Sequence, residues 1–128
     1  MKFIIDKAKL IQDLKKILEE KYILTSKASK YYHQKGYRYG IGEAFAIIKP
    51  GNLLEYWKVL ELCVDADFIV IMQAANTGLT GGSTPNGTDY DRPIVIVNTM
   101  RINDIHLLMK ENKLLHYQEA PYLILRIN

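Results

Sequence analysis

Leu10, Ile11, Leu14, Ile17 and Leu18 recur at helical spacing, with Lys and Glu on the other positions. This pattern predicts an amphipathic helix over residues 6–21, packed on its own domain and capped by Asp6. Ala44 to Ile48 is a short apolar run ending at Pro50-Gly51, which reads as a strand and a turn. Asn52 and Glu55 then have capping-box spacing, with Asn in place of the usual Ser or Thr. Leu53, Trp57, Leu60 and Val64 fall on one face of the helix that follows. Phe68 to Met72 is unbroken apolar sequence and suits a strand covered on both faces. Strand, helix, strand makes a βαβ unit whose two strands run parallel. Ile94 to Val97 reads as another buried strand. Residues 98–113 mix apolar and polar positions without a clear period, while Leu114–Tyr117 and Tyr122–Ile127 each have the pattern of a strand. The class is therefore α+β, with no repeat and no low-complexity linker.

Residues 22–42 break the pattern. Tyr22, Tyr31, Tyr32, Tyr37 and Tyr39 crowd together with Gly36, Gly40 and Gly42. Glycines at that density do not sustain a helix, so an extended loop is expected, its tyrosines packed on the core or forming a ligand wall.

Composition narrows the function classes. The 128 residues, 48% apolar and 24% charged, make one folded domain. A net charge of +3 with scattered lysines does not point to nucleic acid. The single cysteine, Cys63, excludes an internal disulfide and a cysteine metal site, and its apolar surroundings make it a core residue. The opening MKFIIDKAKL is too soon interrupted by charge to be a signal peptide or a membrane span. A cytoplasmic chain, at most attached to a membrane face, is expected. His33, His106 and His116 have no metal-ligand spacing. His33 and His106 read as surface or capping residues, and His116 as a strand residue facing solvent or a partner. Asp89, Asp91 and Arg92 read as a local ionic contact in a turn. No Ser-His-Asp, Cys-His or paired-carboxylate set is present, and no catalytic residue is nominated.

The candidate chemistry lies between the strands, in Gln73-Ala74-Ala75-Asn76-Thr77-Gly78-Leu79-Thr80-Gly81-Gly82-Ser83-Thr84-Pro85. Ligands in parallel sheets bind beyond the carboxyl ends of the strands. Glycine lets the backbone approach a ligand, and successive N–H groups form a concave anion site. Thr77, Thr80, Ser83 and Thr84 offer further donors. No lysine lies inside the loop, so amide dipoles would meet the charge. The loop has neither the Gly-Lys-Ser/Thr ending of a nucleoside-triphosphate loop nor Gly-x-Gly-x-x-Gly. An ordinary glycine-rich turn without a ligand is the competing reading.

Met72 to Thr80, followed by Gly82 to Gly87 and Asp89 to Arg92, closely resembles the flavin-pyrophosphate loop of the quinone-dependent D-lactate dehydrogenases. These are membrane-associated bacterial members of the FAD-linked oxidases with the vanillyl-alcohol-oxidase (PCMH-type) fold. The resemblance extends to Lys35-Gly36-Tyr37-Arg38, Gly40, Gly42 and Pro50-Gly51 through Trp57, and covers roughly residues 24–115. It implies an N-terminal helix and Tyr/Gly-rich loop over 1–42, and a partial FAD-binding domain over 43–128. That part would be a βαβ-containing first lobe with an aberrant tail from about 117. It further implies that Ala74, Ala75, Asn76, Thr77, Gly78, Leu79, Thr80, Gly81, Gly82 and Ser83 grip the FAD diphosphate. Asn76, Thr77 and Ser83 would be the direct or near side-chain contacts. No histidine occurs between Met72 and Arg92, so the flavin would be noncovalent. D-lactate and a membrane quinone would be the parent's partners, and the cytoplasmic face of the inner membrane its place.

After residue 117 the chain departs from the family pattern, and a truncated or frameshifted product, or an expressed fragment, is expected. Self-association is expected too, through the β-prone tail Tyr122–Ile127 and an uncovered apolar sheet face. The alternatives are a piece of another FAD-linked 2-hydroxy-acid oxidase, which the missing domains would settle, and a non-enzymatic module binding a nucleotide or a protein. A saturable ligand without flavin turnover would favour the last.

Overall fold

The computed structural model describes residues 4–110 and 113–118. Helix α1 (Lys7–Lys15) starts where Asp6 accepts a hydrogen bond from the Lys9 amide at 2.9 Å. It is shorter than its apolar spacing predicts. Beyond Lys16 the chain tightens, with the Ile17 amide bonded to the Leu14 carbonyl at 3.0 Å, and buried Leu18 packs from a turn. That turn, and a 3-10 turn at Glu20–Tyr22, deliver the chain to β1 (Ile23–Leu24). The expected extended loop therefore contains ordered elements: β1, a one-turn helix α2 (Lys27–Lys30) capped by Ser26, and a 3-10 turn at Tyr31–His33. Glycine keeps only the remainder, residues 34–42, irregular.

Strand β2 (Ala46–Ile48), helix α3 (Leu53–Asp65), β3 (Ile69–Gln73) and β4 (Ile94–Asn98) follow. Their sheet has the order β1-β2-β4-β3. β1 is antiparallel to β2, and the others are parallel. The βαβ unit is present, but β4 is inserted between its two strands. A hairpin of β5 (Ile105–Lys110) and β6 (Lys113–Gln118) forms a separate sheet. β5, which contains His106, runs through the stretch that showed no period, and β6 contains the expected strand Leu114–Tyr117 and His116. The expected strand Tyr122–Ile127 lies outside the described residues.

β4 is buried along its whole length. Its alternate residues Val95 and Val97, with Ala46 and Ile48 of β2, face a core built with Leu10, Leu14, Val59 and Cys63 of the helices. Ile94 and Ile96, with Ala44 and Ile47, form a second core cluster. Both faces of the central strands are thus covered, contrary to the expected bare sheet face. The exposed apolar surface is elsewhere. β3 is an edge strand, half-buried rather than enclosed, and its Met72 is 40% exposed. Helix α3 is apolar on two sides. Val59 and Cys63 turn inward, so the stripe read from the sequence is the outer one, with Leu53, Trp57 and Val64 at 47%, 63% and 60% exposure. The Cys63 thiol sits in the core, and burial pushes its pKa up to about 12.

The start of α3 shows how the cap works. Asn52 accepts from the Glu55 amide at 2.9 Å, and the Glu55 carboxylate reaches back to the Gly51 amide at 2.6 Å. The reciprocal bond goes one residue further back than in the usual capping box.

Candidate anion-binding loop

β3 and β4 are adjacent and parallel, yet residues 74–93 between them contain no helix. This irregular crossover begins at the carboxyl end of β3, where ligands of parallel sheets bind. Asn76 has φ +56° and Gly81 φ +76°. Among the described residues, no backbone N–H from Ala74 to Ser83 donates a hydrogen bond within the protein, and the chain makes a turn at Gly82–Ser83. Thr77, Gly78, Leu79, Thr80 and Gly82 are exposed, and Ala74, Ala75, Asn76, Gly81 and Ser83 are half-buried. The loop is a stretch of unspent amide donors, a donor set that fits a diphosphate.

The Tyr/Gly segment lies over this loop. Lys35 and Ile41 form an antiparallel bridge, and Gly42 bridges Gly87 in parallel, with the Gly87 amide on the Ile41 carbonyl at 2.9 Å. The fit is close: a Cβ on Gly81 would meet the Tyr39 carbonyl oxygen at 3.1 Å, and one on Gly40 would meet Thr84 Oγ1 at 2.4 Å. A Cβ on Gly78 meets nothing within 4 Å. Gly81 is therefore required by the fold of the loop, whereas Gly78 is open space. The tyrosines do not pack on the core: Tyr31, Tyr32, Tyr37 and Tyr39 are 55–82% exposed.

The side chains divide. Asn76 donates to the Lys35 carbonyl at 2.8 Å and accepts from the Ser83 hydroxyl at 2.8 Å. Both residues brace the loop, and the Ser83 hydrogen is already used. Thr84 is buried, and its hydroxyl has no partner. Thr77 and Thr80 are the hydroxyls of the loop exposed to solvent.

Beneath the loop lies a polar junction that sequence reasoning missed. Gln73, 2% exposed, donates to the carbonyls of His33 at 2.8 Å and Ser83 at 3.0 Å. Two carbonyl acceptors fix which end of its amide is nitrogen. Its oxygen then accepts from Asn98 at 3.0 Å and from His33 Nδ1 at 3.0 Å. Asn98 also donates to the Ala74 carbonyl at 3.1 Å and accepts from the Met100 amide at 3.1 Å. His33 is accordingly neither a free surface residue nor a cap, but a half-buried partner of Gln73. The two are 40 positions apart, so no periodicity announces them. A cleft of about 320 Å³ adjoins the junction, lined by Ala74, Ala75 and Asn76 of the loop and by Tyr32, His33, Lys35 and Tyr37. Lys35 is the charged residue lining it.

Arg92 behaves as read, with its guanidinium 3.3 Å from Asp91, and it also reaches Asp67 at 2.7 Å. The two aspartates hold the guanidinium above its ordinary pKa. Among the described residues, no group of acidic, His and Cys side chains could hold a metal ion, and no helix is long and apolar enough to cross a membrane.

The chain is 47% identical over 112 residues to the quinone-dependent D-lactate dehydrogenase of Escherichia coli (strain K12), a match covering 88% of this chain and 20% of that protein. It is 52% identical over 99 residues to the protein of the same name from Haemophilus influenzae, covering 77% and 18%.

By sequence, this chain belongs to the quinone-dependent D-lactate dehydrogenase family.

It spans about a fifth of the length of these relatives. No family model matches. Among solved structures it is similar to alkyldihydroxyacetonephosphate synthase, with TM-score 0.68 and 15% identity over 78% of this chain and 20% of that one. It is also similar to p-cresol methylhydroxylase with substrate bound, with TM-score 0.59 and 14% identity over 77% and 19%. The fold is α+β, of the PCMH type that these proteins share.

Proposed function

We propose that this chain carries the diphosphate grip of an FAD-dependent D-lactate:quinone oxidoreductase and is inactive alone. One observation carries the reading: a run of unpartnered backbone amides, Ala74 to Ser83, at the carboxyl end of β3 in a chain of this family. The amides from Thr77 to Gly82 would hold the two phosphates, with hydroxyls from Thr77 and Thr80 and charge from Lys35. Asn76 and Ser83 would act by holding the loop in shape, and Ala74 and Ala75 by lining the cleft beside it. Bound FAD would supply the two-electron oxidation of D-lactate and pass the electrons to a quinone. The flavin would be noncovalent, because no histidine lies between Met72 and Arg92. Residues 43–128 would belong to the FAD-binding domain, with 1–42 as its leading helix and loop. The whole oxidoreductase would sit peripherally on the cytoplasmic face of the inner membrane.

The test is a titration of the chain with inorganic pyrophosphate, followed by amide NMR. Saturable shifts confined to residues 74–84 support the reading. No response there, alongside an intact spectrum, refutes it.

A further inference from the structure

Gln73 occupies a peculiar place. It is the last residue of β3, almost fully buried, and every hydrogen-bonding position of its amide is used. Its four partners come from three parts of the chain that are otherwise separate. The Ser83 carbonyl is the far end of the loop, His33 is the segment leading into the Tyr/Gly stretch, and Asn98 is the end of β4. The loop thus leaves Gln73 through its backbone and returns to the same residue through its side chain, ten positions on. A loop whose amides from Ala74 to Ser83 make no backbone hydrogen bond has no other tie of this kind at its neck among the described residues. A buried amide with all of its bonds made is a rigid anchor, and one deprived of partners is costly.

We infer that Gln73 is the positioning residue of the anion loop: it closes the neck between Ala74 and Ser83 and fixes His33 as the Nδ1–H tautomer. The tautomer follows from the bonding. Gln73 Nε2 faces two carbonyls, so Oε1 must accept, and the His33 nitrogen facing it must carry hydrogen. In the neutral ring His33 Nε2 is then left as an acceptor, on a residue that lines the cleft beside Asn76. Gln73 touches no phosphate in this arrangement. It acts by holding the spacing of the amides that would. The inference rests on the anion reading for its functional weight, but its geometry can be tested separately.

The experiment uses the whole chain labelled with 15N. In the wild type, histidine 15N shifts should report His33 as Nδ1–H. The Nε2–H tautomer would overturn the inference without any variant. Gln73→Met removes all four bonds at similar volume. It should return His33 to the Nε2–H form preferred by an unconstrained histidine side chain, lower the order of residues 77–82, and weaken pyrophosphate binding about tenfold, the scale of one or two lost hydrogen bonds. Gln73→Glu is the rescue. A protonated carboxyl keeps one donor and one acceptor, so its affinity relative to wild type should recover at acid pH and fall as the carboxyl ionises. Gln73→Met with wild-type loop order and affinity within about twofold would overturn the proposal. If the wild type ignores pyrophosphate, the anion reading fails by itself. Loop order in Gln73→Met then decides the clamp: a looser loop upholds it, an unchanged loop refutes it.

Discussion

Two glycines three positions apart in one loop should respond to alanine in opposite ways. Gly81 has φ +76°, and its Cβ would lie 3.1 Å from the Tyr39 carbonyl oxygen, 3.2 Å from its carbon and 3.3 Å from its Cβ. The left-handed backbone alone costs a non-glycine residue about 1–2 kcal/mol. The tight contacts add to it, because two backbone segments must move apart. Gly81→Ala should therefore destabilise the chain by about 2 kcal/mol. Gly78 has ordinary φ and open space in every direction. Alanine there should leave stability unchanged or raise it by about 0.4–1 kcal/mol, through a less flexible unfolded chain. Its cost should fall on the ligand, since a methyl group would stand where a phosphate approaches the backbone. The assay pairs urea unfolding with pyrophosphate titration for both variants, and flavin content after the same changes in a full-length relative. The expected result is separation: Gly81→Ala loses stability and binding together, Gly78→Ala loses about tenfold in binding alone. Full anion affinity and full flavin content in Gly78→Ala would refute the idea that this backbone is approached by a ligand.

Other outcomes follow from the same structure. Asn52→Ala should cost about 1 kcal/mol by removing the cap of α3, read from the urea midpoint, and an unchanged midpoint would show that Glu55 and Gly51 suffice. Burial raises the Cys63 pKa from 9.0 to about 12, so its contribution to stability is whole below pH 9.0 and is lost as pH climbs towards 12. Cys63→Ala should flatten that alkaline slope, and an identical slope in the variant would locate it elsewhere. The isolated chain should bind FAD weakly and show no D-lactate-dependent dye reduction, because one wall gives little burial and no acid–base set is present. Turnover well above a Gly78→Ala control would contradict this. Light scattering should detect self-association that Trp57→Lys reduces, since Leu53, Trp57 and Val64 present an exposed apolar stripe. A strictly monomeric wild type would remove the stripe as an association site.

What the sequence made legible was mostly local. Asn52 and Glu55 sit at cap spacing, and the cap forms. The β-branched run Ile94–Val97 is buried, and Ala46–Ile48 pairs with it. Long-range order was not legible in the same way. Nothing in the order of elements says that β4 enters between β2 and β3, because a parallel crossover without a helix is outside the usual pattern. The periodicity of α3 failed for a different reason. A helix apolar on two sides offers two equally good stripes, and only packing against α1 and the sheet chooses the one at Val59 and Cys63. At the site, glycine and threonine content pointed to the loop. It did not distinguish Asn76 and Ser83, which hold each other, from Thr77 and Thr80, which face solvent. Gln73, His33, Asn98 and Lys35 were invisible as a group, since glutamine and asparagine carry no spacing signal and their partners lie tens of residues away.

The helix-free crossover also explains why the Tyr/Gly segment is there at all. A helical crossover would satisfy its own amides and pack an apolar face on the sheet. Residues 74–93 do neither, so their shape must come from neighbours. The neighbours come in through the strand-like bridge Gly42–Gly87, the Asn76 bond to the Lys35 carbonyl, and the Gln73 junction with His33. Each joins residues 33–42 to the crossover or its root. Glycines at 40, 42 and 81 permit this approach, because a Cβ at any of them would strike the opposing segment or lie very close to it. The arrangement leaves the amides between the supports without protein partners. A helix would have consumed those amides, and a loop without supports would not hold them together. An anion site of this type therefore needs the crossover to be irregular and needs a second segment to keep it in place. Both requirements are met by stretches that local propensity reads only as loop.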